Sequence, residues 1–219
     1  MSQIKAILFD LDGTLIDSVT DLANSVNYTL AKLSLPLHTT EEIRSFVGDG
    51  VQKLIKRSLG QSHQENFADG FAIFMEHYGL HCTDNTVLYP GVAEILPQLA
   101  DNYALAVLTN KSLKFSVKIL EALKVRAYFK EVLGGDSLPT KKPDPAGIFF
   151  LANRWGLEPA REMIMVGDHA TDIEVGQRAG CKTVFISGTI GEKRGLTPDF
   201  VIDSIHKLPD LLERQEGHY

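Results

Sequence analysis

The chain is poor in cysteine, in basic charge and in long apolar runs, and each shortage narrows what it can be. Only Cys82 and Cys181 occur in 219 residues, with no CxxC pair, so neither a disulfide framework nor a zinc site is expected; both thiols should be free in a reducing cytoplasm. Basic residues do not outnumber acidic ones: 22 Lys and Arg face 28 Asp and Glu, a formal charge of −6. That balance offers no electrostatic footprint for a polyanion and argues against nucleic acid as a partner. No apolar run approaches the ~20 residues that cross a bilayer, and the run at residues 4–8 is too short for a signal-peptide core. A cytoplasmic protein with no membrane partner is the expectation. Internal repeats and low-complexity segments are also missing, and 219 residues suffice for one full α/β core plus a sizeable insertion.

What is present begins with the string Phe9-Asp10-Leu11-Asp12-Gly13-Thr14-Leu15 directly after that apolar run. A short run rich in Ile and Leu and ended by a turn reads as a buried parallel strand, here with two carboxylates at its C-terminal end. Residues two apart on an extended segment point to one side, which aims Asp10 and Asp12 at the same crevice. Two like charges held together are costly. They persist when a cation neutralises them, or when one keeps its proton and works as an acid.

Three helical patterns follow, over residues 19–33, 40–59 and 64–80, with Pro36 and Gly60 marking the breaks. They do not alternate with strands and so read as a helical module of residues 18–83, inserted into a core made of residues 1–17 and 84–219. From Gly91 onward helices and strands alternate, with strands expected at 104–108, 131–133, 163–166, 183–186 and 200–202. Helices are expected at 92–100, 113–123, 145–155, 171–179 and 205–212. Such alternation specifies right-handed crossovers and a doubly wound parallel sheet, an α/β fold whose ligands sit beyond the carboxyl ends of the strands.

Four segments fall at such strand ends: Asp10-x-Asp12-Gly13-Thr14; Leu108-Thr109-Asn110-Lys111; Lys141-Lys142-Pro143-Asp144-Pro145; and Val166-Gly167-Asp168-His169-Ala170-Thr171-Asp172. Any one alone is a weak signal, since a strand ending in Asp-Gly is often only a turn and a Lys pair is usually a solvated face. Their joint order and placement are specific. Through them the chain resembles the haloacid dehalogenase-like phosphohydrolases from residue 4 to about residue 190. The insertion is similar to the mobile helical cap of that family's phosphoglycolate phosphatase-like branch, set against a Rossmann-like core.

The resemblance implies a chemistry that matches physical need, because phosphate monoesters are among the slowest molecules to hydrolyse unaided. It implies Asp10 as nucleophile, forming an aspartyl-phosphate, and Asp12 as general acid and then base. It implies Mg2+ held by Asp10, the Asp12 backbone carbonyl and Asp168, with Asp172 binding the metal through water or orienting the lysine. A first-turn acid complementing the helix dipole explains Asp172 equally well. Thr109, Asn110 and Lys142 would hold the phosphoryl oxygens, Lys142 rather than Lys141 because it precedes Pro143 as in the family's Lys-Pro pattern. His169 stands where relatives more often carry a small polar residue and is expected at the rim of the site; the other histidines show no metal-like spacing.

Substrate choice is assigned to the insertion, where Val47-Gly48-Asp49-Gly50-Val51 breaks a helical pattern and its two glycines allow close backbone approach to a ligand. A simple kink explains the same string. Lys53 and Arg57, one turn apart, could meet a second anionic group or form a solvated face. The expected partner is a small phosphorylated metabolite, 2-phosphoglycolate first among them, acted on by a monomer or homodimer. A phosphomutase of the same superfamily is the alternative within this chemistry. A phospho-accepting regulatory domain is the alternative outside it, though there the acceptor lies on a later strand.

Overall fold

The apolar run opens the chain as strand β1 (Ala6–Phe9), buried along its whole length and hydrogen-bonded on both sides. In the computed structural model, which describes residues 3–216, a two-residue strand β2 (Ile16–Asp17) leads into α1 (Val19–Lys32), α2 (Thr40–Phe46), α3 (Val51–Leu59), a 3-10 turn and α4 (Phe67–His81). The chain returns through β3 (Val87–Leu88), α5 (Val92–Asn102) and β4 (Ala104–Leu108), then α6 (Leu113–Ala122) and β5 (Glu131–Leu133). Next come α7 (Ala146–Trp155), α8 (Pro159–Glu162), β6 (Met163–Gly167) and α9 (Ala170–Ala179). The last elements are β7 (Lys182–Ile186), β8 (Phe200–Ile202) and α10 (Leu208–Glu216). Six strands form one parallel sheet in the order β5-β4-β1-β6-β7-β8.

Period-two alternation in the central strands supplies a core to each face of that sheet. Ile7, Phe9, Leu105 and Val107 belong to one buried cluster, with Leu96 of α5 and Ile119 of α6. Ala6, Leu8, Ala106 and Met165 belong to the other, with Ile148 and Leu151 of α7. Helices therefore cover both faces of the sheet.

The insertion departs from expectation in two places. Residues 40–59 form two helices rather than one, because Gly48 and Gly50 take φ of +108° and +92°, a region that ends a right-handed helix and that other residues rarely adopt. α2 itself begins with a reciprocal cap, Thr39 Oγ1 accepting from Glu42 N at 3.2 Å and Thr39 N donating to Glu42 Oε2 at 2.7 Å. The second departure is the antiparallel ribbon of β2 and β3, pairing Ile16 with Leu88 and Asp17 with Val87 at the base of the insertion. Two residues per strand are too few for any periodicity to show. Beside it, the buried Asp21 carboxylate of α1 accepts from Asn85 N and Nδ2 and from Thr86 N and Oγ1 at 2.7–3.0 Å. The chain entering the helices is thus clasped to the chain leaving them.

Candidate active site

β1 lies between β4 and β6, with Phe9 opposite Val107 on one side and Val166 on the other. In-register parallel strands end side by side, so the residues that follow, Asp10, Thr109 and Asp168, emerge together at the switch point of the sheet. Asp172, one turn into α9, joins them: carboxylate oxygens of Asp10, Asp168 and Asp172, all buried, lie within 4.8 Å of one another. Lys142 reaches this cluster from the loop before α7, its Nζ 2.9 Å from Asp10 Oδ1 and 2.6 Å from Asp172 Oδ1.

Three buried carboxylates against one ammonium leave the cluster under-neutralised. Burial, with repulsion from Asp172, pushes the Asp10 carboxyl up to about 6 despite Lys142; burial, with repulsion from Asp10 and Asp172, pushes Asp168 up to about 7. Burial opposes the charge on Lys142, but Asp10 and Asp172 hold its pKa above the ordinary lysine value. A hard divalent cation answers that excess, and an all-oxygen donor set suits Mg2+, so the residues present fit the metal that the sequence pattern implies.

Asp168 is fixed from three directions, by Thr14 Oγ1 at 2.9 Å, Thr189 Oγ1 at 3.1 Å and Gly191 N at 2.8 Å. Gly13 has φ +87°, and a Cβ there would stand 2.1 Å from Asp168 Oδ2, which is why glycine follows the second acid of the first motif. Asp12 stands apart from the trio and has its own ammonium: Lys111 Nζ lies 2.9 and 3.1 Å from its two oxygens, and Ser18 Oγ donates at 2.5 Å. The expected clash of Asp10 with Asp12 is therefore resolved by two lysines, one for each acid. Thr109 Oγ1 accepts from Lys111 N at 3.2 Å, which leaves its own O–H free to donate.

The loop between α2 and α3 closes on this floor. Asn110 Nδ2 donates to Gly48 O at 3.1 Å and to Lys142 O at 3.2 Å, and Lys141 Nζ donates to Asp49 O at 2.8 Å. The paired lysines thus divide, Lys142 to the acids and Lys141 to the cap. His169 is not at the rim: it is 4% exposed, caps α9 and lies under Gly48, where a Cβ would come 2.7 Å from its Cδ2. Burial holds its pKa below the ordinary histidine value, and Arg194 adds to that. Lys53 and Arg57 do not wait for a ligand either. Both pair with the Asp49 carboxylate, Lys53 at 3.6 Å, and Arg194 approaches it at 3.7 Å. Burial opposes the Asp49 charge, yet Arg57 keeps its carboxyl below the ordinary range. Asp49 therefore organises the loop from within rather than presenting a charge to a ligand.

Between floor and cap lies a cavity lined by Asp10, Asp12, Thr109, Asn110 and Lys111 below and by Leu22, Val47, Leu54, Phe74 and Tyr78 above. The Lys111 ammonium stands 4.9 Å from the centroid of the Tyr78 ring. The sequence motifs include Thr14 and Lys111 without a role for either, and they do not reach Tyr78, Thr189 or Gly191. The position of Lys111, two residues past Thr109 at a strand end, was an available signal; Thr189 and Gly191 follow β7 in a loop with no motif.

The model of the haloacid dehalogenase-like hydrolase family matches residues 7–186. The chain belongs to that family. Among curated relatives, the phosphoglycolate phosphatase of Chromobacterium violaceum is 37% identical over 219 residues, covering 97% of this chain and 98% of its own. That of Vibrio parahaemolyticus is 38% identical over 222 residues, covering 95% and 96%. The crystal structure of a predicted phosphoglycolate phosphatase from Haemophilus somnus superposes with a TM-score of 0.85 at 34% identity, covering 96% of this chain and 99% of that one. As a haloacid dehalogenase-like hydrolase the chain is a phosphatase with a Rossmann-like sheet and a helical cap, and no helix among the described residues is long and apolar enough to cross a membrane.

Proposed function

We propose that this enzyme hydrolyses 2-phosphoglycolate through a phosphoryl-enzyme formed on Asp10, with Mg2+ as its cofactor. The observation that carries the reading is the buried trio of Asp10, Asp168 and Asp172 with Lys142 set between two of its members. The substrate follows the names of the relatives above, which match nearly the whole chain. Asp10, the Asp12 backbone carbonyl, Asp168 and Asp172 would hold the metal, which neutralises charge as an anionic nucleophile meets an anionic ester.

Asp10 is oriented for attack because Oδ1 accepts from Leu11 N at 2.7 Å and faces the Lys142 ammonium at 2.9 Å. An Asp10 oxygen bonds to phosphorus while the bond to the ester oxygen breaks, and Asp12 gives its proton to that departing oxygen. Water then attacks the phosphoryl group on Asp10, Asp12 takes the water's proton, and phosphate and the free carboxylate are restored. Thr109 O–H and Lys142 supply donors where charge spreads over the phosphoryl oxygens. Asn110 and the Gly48-Asp49-Gly50 loop shape the site rather than donate to the phosphoryl group, since the Asn110 amide bridges Gly48 to the backbone of Lys142 and the Asp49 carboxylate is paired within the protein.

In this reading residues 18–83 are a mobile cap and residues 1–17 with 84–219 the catalytic core. The enzyme works in the cytoplasm as a monomer or homodimer, all residues of the site coming from one chain. The test is phosphate release by the purified protein with Mg2+ from a panel of phosphorylated metabolites. 2-Phosphoglycolate should give the highest kcat/KM; a rearranged phosphate ester with no free phosphate would identify a mutase instead.

A further inference from the structure

We infer that Lys111, together with the Tyr78 hydroxyl of the cap, binds a carboxylate on the leaving group, so that the enzyme selects phosphate esters of small hydroxy acids over neutral ones. The inference rests on the phosphatase reading above and deepens it.

The charges around the cavity point first to Lys111. Its lining includes two acids, Asp10 and Asp12, and among the described residues that line it Lys111 carries the only positive charge. The cationic side chains of the cap that sequence reasoning offered for a second anion are engaged elsewhere, Lys53 and Arg57 on Asp49. Lys142 is held by Asp10 and Asp172 at the phosphoryl end. A carboxylate entering beside two acids without its own cation would be a buried unpaired charge, which is strongly disfavoured.

Position then assigns Lys111 to the leaving group. Asp10 marks the phosphorus and Asp12 the ester oxygen; Lys111 lies beyond, touching Asp12 at 2.9 and 3.1 Å and roofed by Tyr78 at 4.9 Å. Asp12 must hold a proton to act as the acid, and in that state the Lys111 ammonium keeps its position but is no longer matched by the Asp12 charge, which leaves it a donor and a full charge for a carboxylate.

A second observation is independent of charge. Tyr78 Oη and Ser112 Oγ are buried hydroxyls whose O–H has no acceptor, Tyr78 Oη facing the Lys111 ammonium, and both residues line this cavity with Asn110, whose Oδ1 is a buried acceptor. Tyr78 is 1% exposed, and a buried phenol normally finds a partner. Two orphaned O–H donors beside an ammonium form a set that an anion satisfies and an apolar leaving group does not.

The test compares 2-phosphoglycolate with its neutral amide isostere, phosphoglycolamide. In wild-type enzyme kcat/KM should favour the acid by about 30-fold or more. Lys111→Met should bring that ratio to roughly threefold or less, Lys111→Arg should keep most of it, and Tyr78→Phe should lower it by about three- to tenfold. Calorimetry on an Asp10→Asn background should show the same loss of discrimination in affinity when Lys111→Met is added. Equal losses on both esters in Lys111→Met would overturn the inference. A wild-type enzyme that prefers the amide would overturn it too, without needing any variant to fold, while leaving the phosphatase reading intact. Failure of the wild-type enzyme to hydrolyse any ester would instead remove the reading under Proposed function, and calorimetric discrimination that depends on Lys111 would still support the carboxylate subsite.

Discussion

The floor and the roof of the site are built by different means. Floor residues hang from the ends of three hydrogen-bonded strands, and each acid is fixed by more than one partner, as Asp168 is by Thr14, Thr189 and Gly191. The roof is a loop of two positive-φ glycines around Asp49, held by ion pairs and by single bonds to Asn110 and Lys141. Strand ends in a packed sheet give the precision that bond making demands, whereas a loop between short helices can open and re-form. In the proposed reading chemistry belongs to the floor and admission of substrate to the roof, while Lys111 of the floor and Tyr78 of the roof share the choice among esters.

The contrast breaks most visibly at Asp10. Asp10→Asn should lower kcat by roughly 10⁴-fold or more while the fold survives, as expected for removal of a nucleophile; phosphate release within tenfold of wild type would remove the floor from the chemistry. Mg2+ should raise the Tm of the wild-type protein, because an ion that binds only the folded trio stabilises it by mass action. In Asp168→Asn that shift should shrink sharply, which thermal unfolding with and without EDTA would show.

Smaller effects sharpen the division. Thr14→Val removes one of the donors to Asp168 and should weaken the Mg2+ requirement curve by about 10- to 100-fold with little change in selectivity. Gly48→Val forces a side chain into φ +108° and against His169; it should disturb the preference among esters more than the turnover of a generic aryl phosphate, at a stability cost of about 1–3 kcal/mol. The least effect is a pH dependence in the roof. The folded-state pKa of Asp49 lies below its ordinary value of 3.8, so its ion pairs contribute stability that is present above that value and is lost as pH falls through the lower folded one. The Tm deficit of Asp49→Asn at neutral pH should therefore narrow at acid pH.

The floor was largely legible in the sequence and the roof was not. An apolar run followed by acids and glycine at a strand end has few other readings, and strands of five residues such as Ala104–Leu108 carry a period that can be counted. Lys142 was preferred to Lys141 on the family's Lys-Pro pattern, and the structure sets Lys142 Nζ beside Asp10 and Asp172 and Lys141 Nζ beside Asp49 O. Gly48 and Gly50 marked a break, but its meaning depended on contacts across the chain: His169 lies under Gly48, and Lys53 and Arg57 turn to Asp49 rather than to a ligand. Helical spacing places residues on a face and does not say what meets that face. Lys111 stood in a motif, but its pairing was hidden for the same reason, since its partner Asp12 is 99 residues away in sequence.

The central claim is a phosphoryl group carried on Asp10, and the direct test is mass spectrometry of peptides from enzyme quenched in acid during turnover of 2-phosphoglycolate with Mg2+. Wild-type protein, and more strongly Asp12→Asn, in which the second step lacks its base, should carry a phosphoryl group on the peptide containing Asp10. Steady turnover with that peptide unmodified in both proteins, or with the phosphoryl group on another residue, would contradict the account.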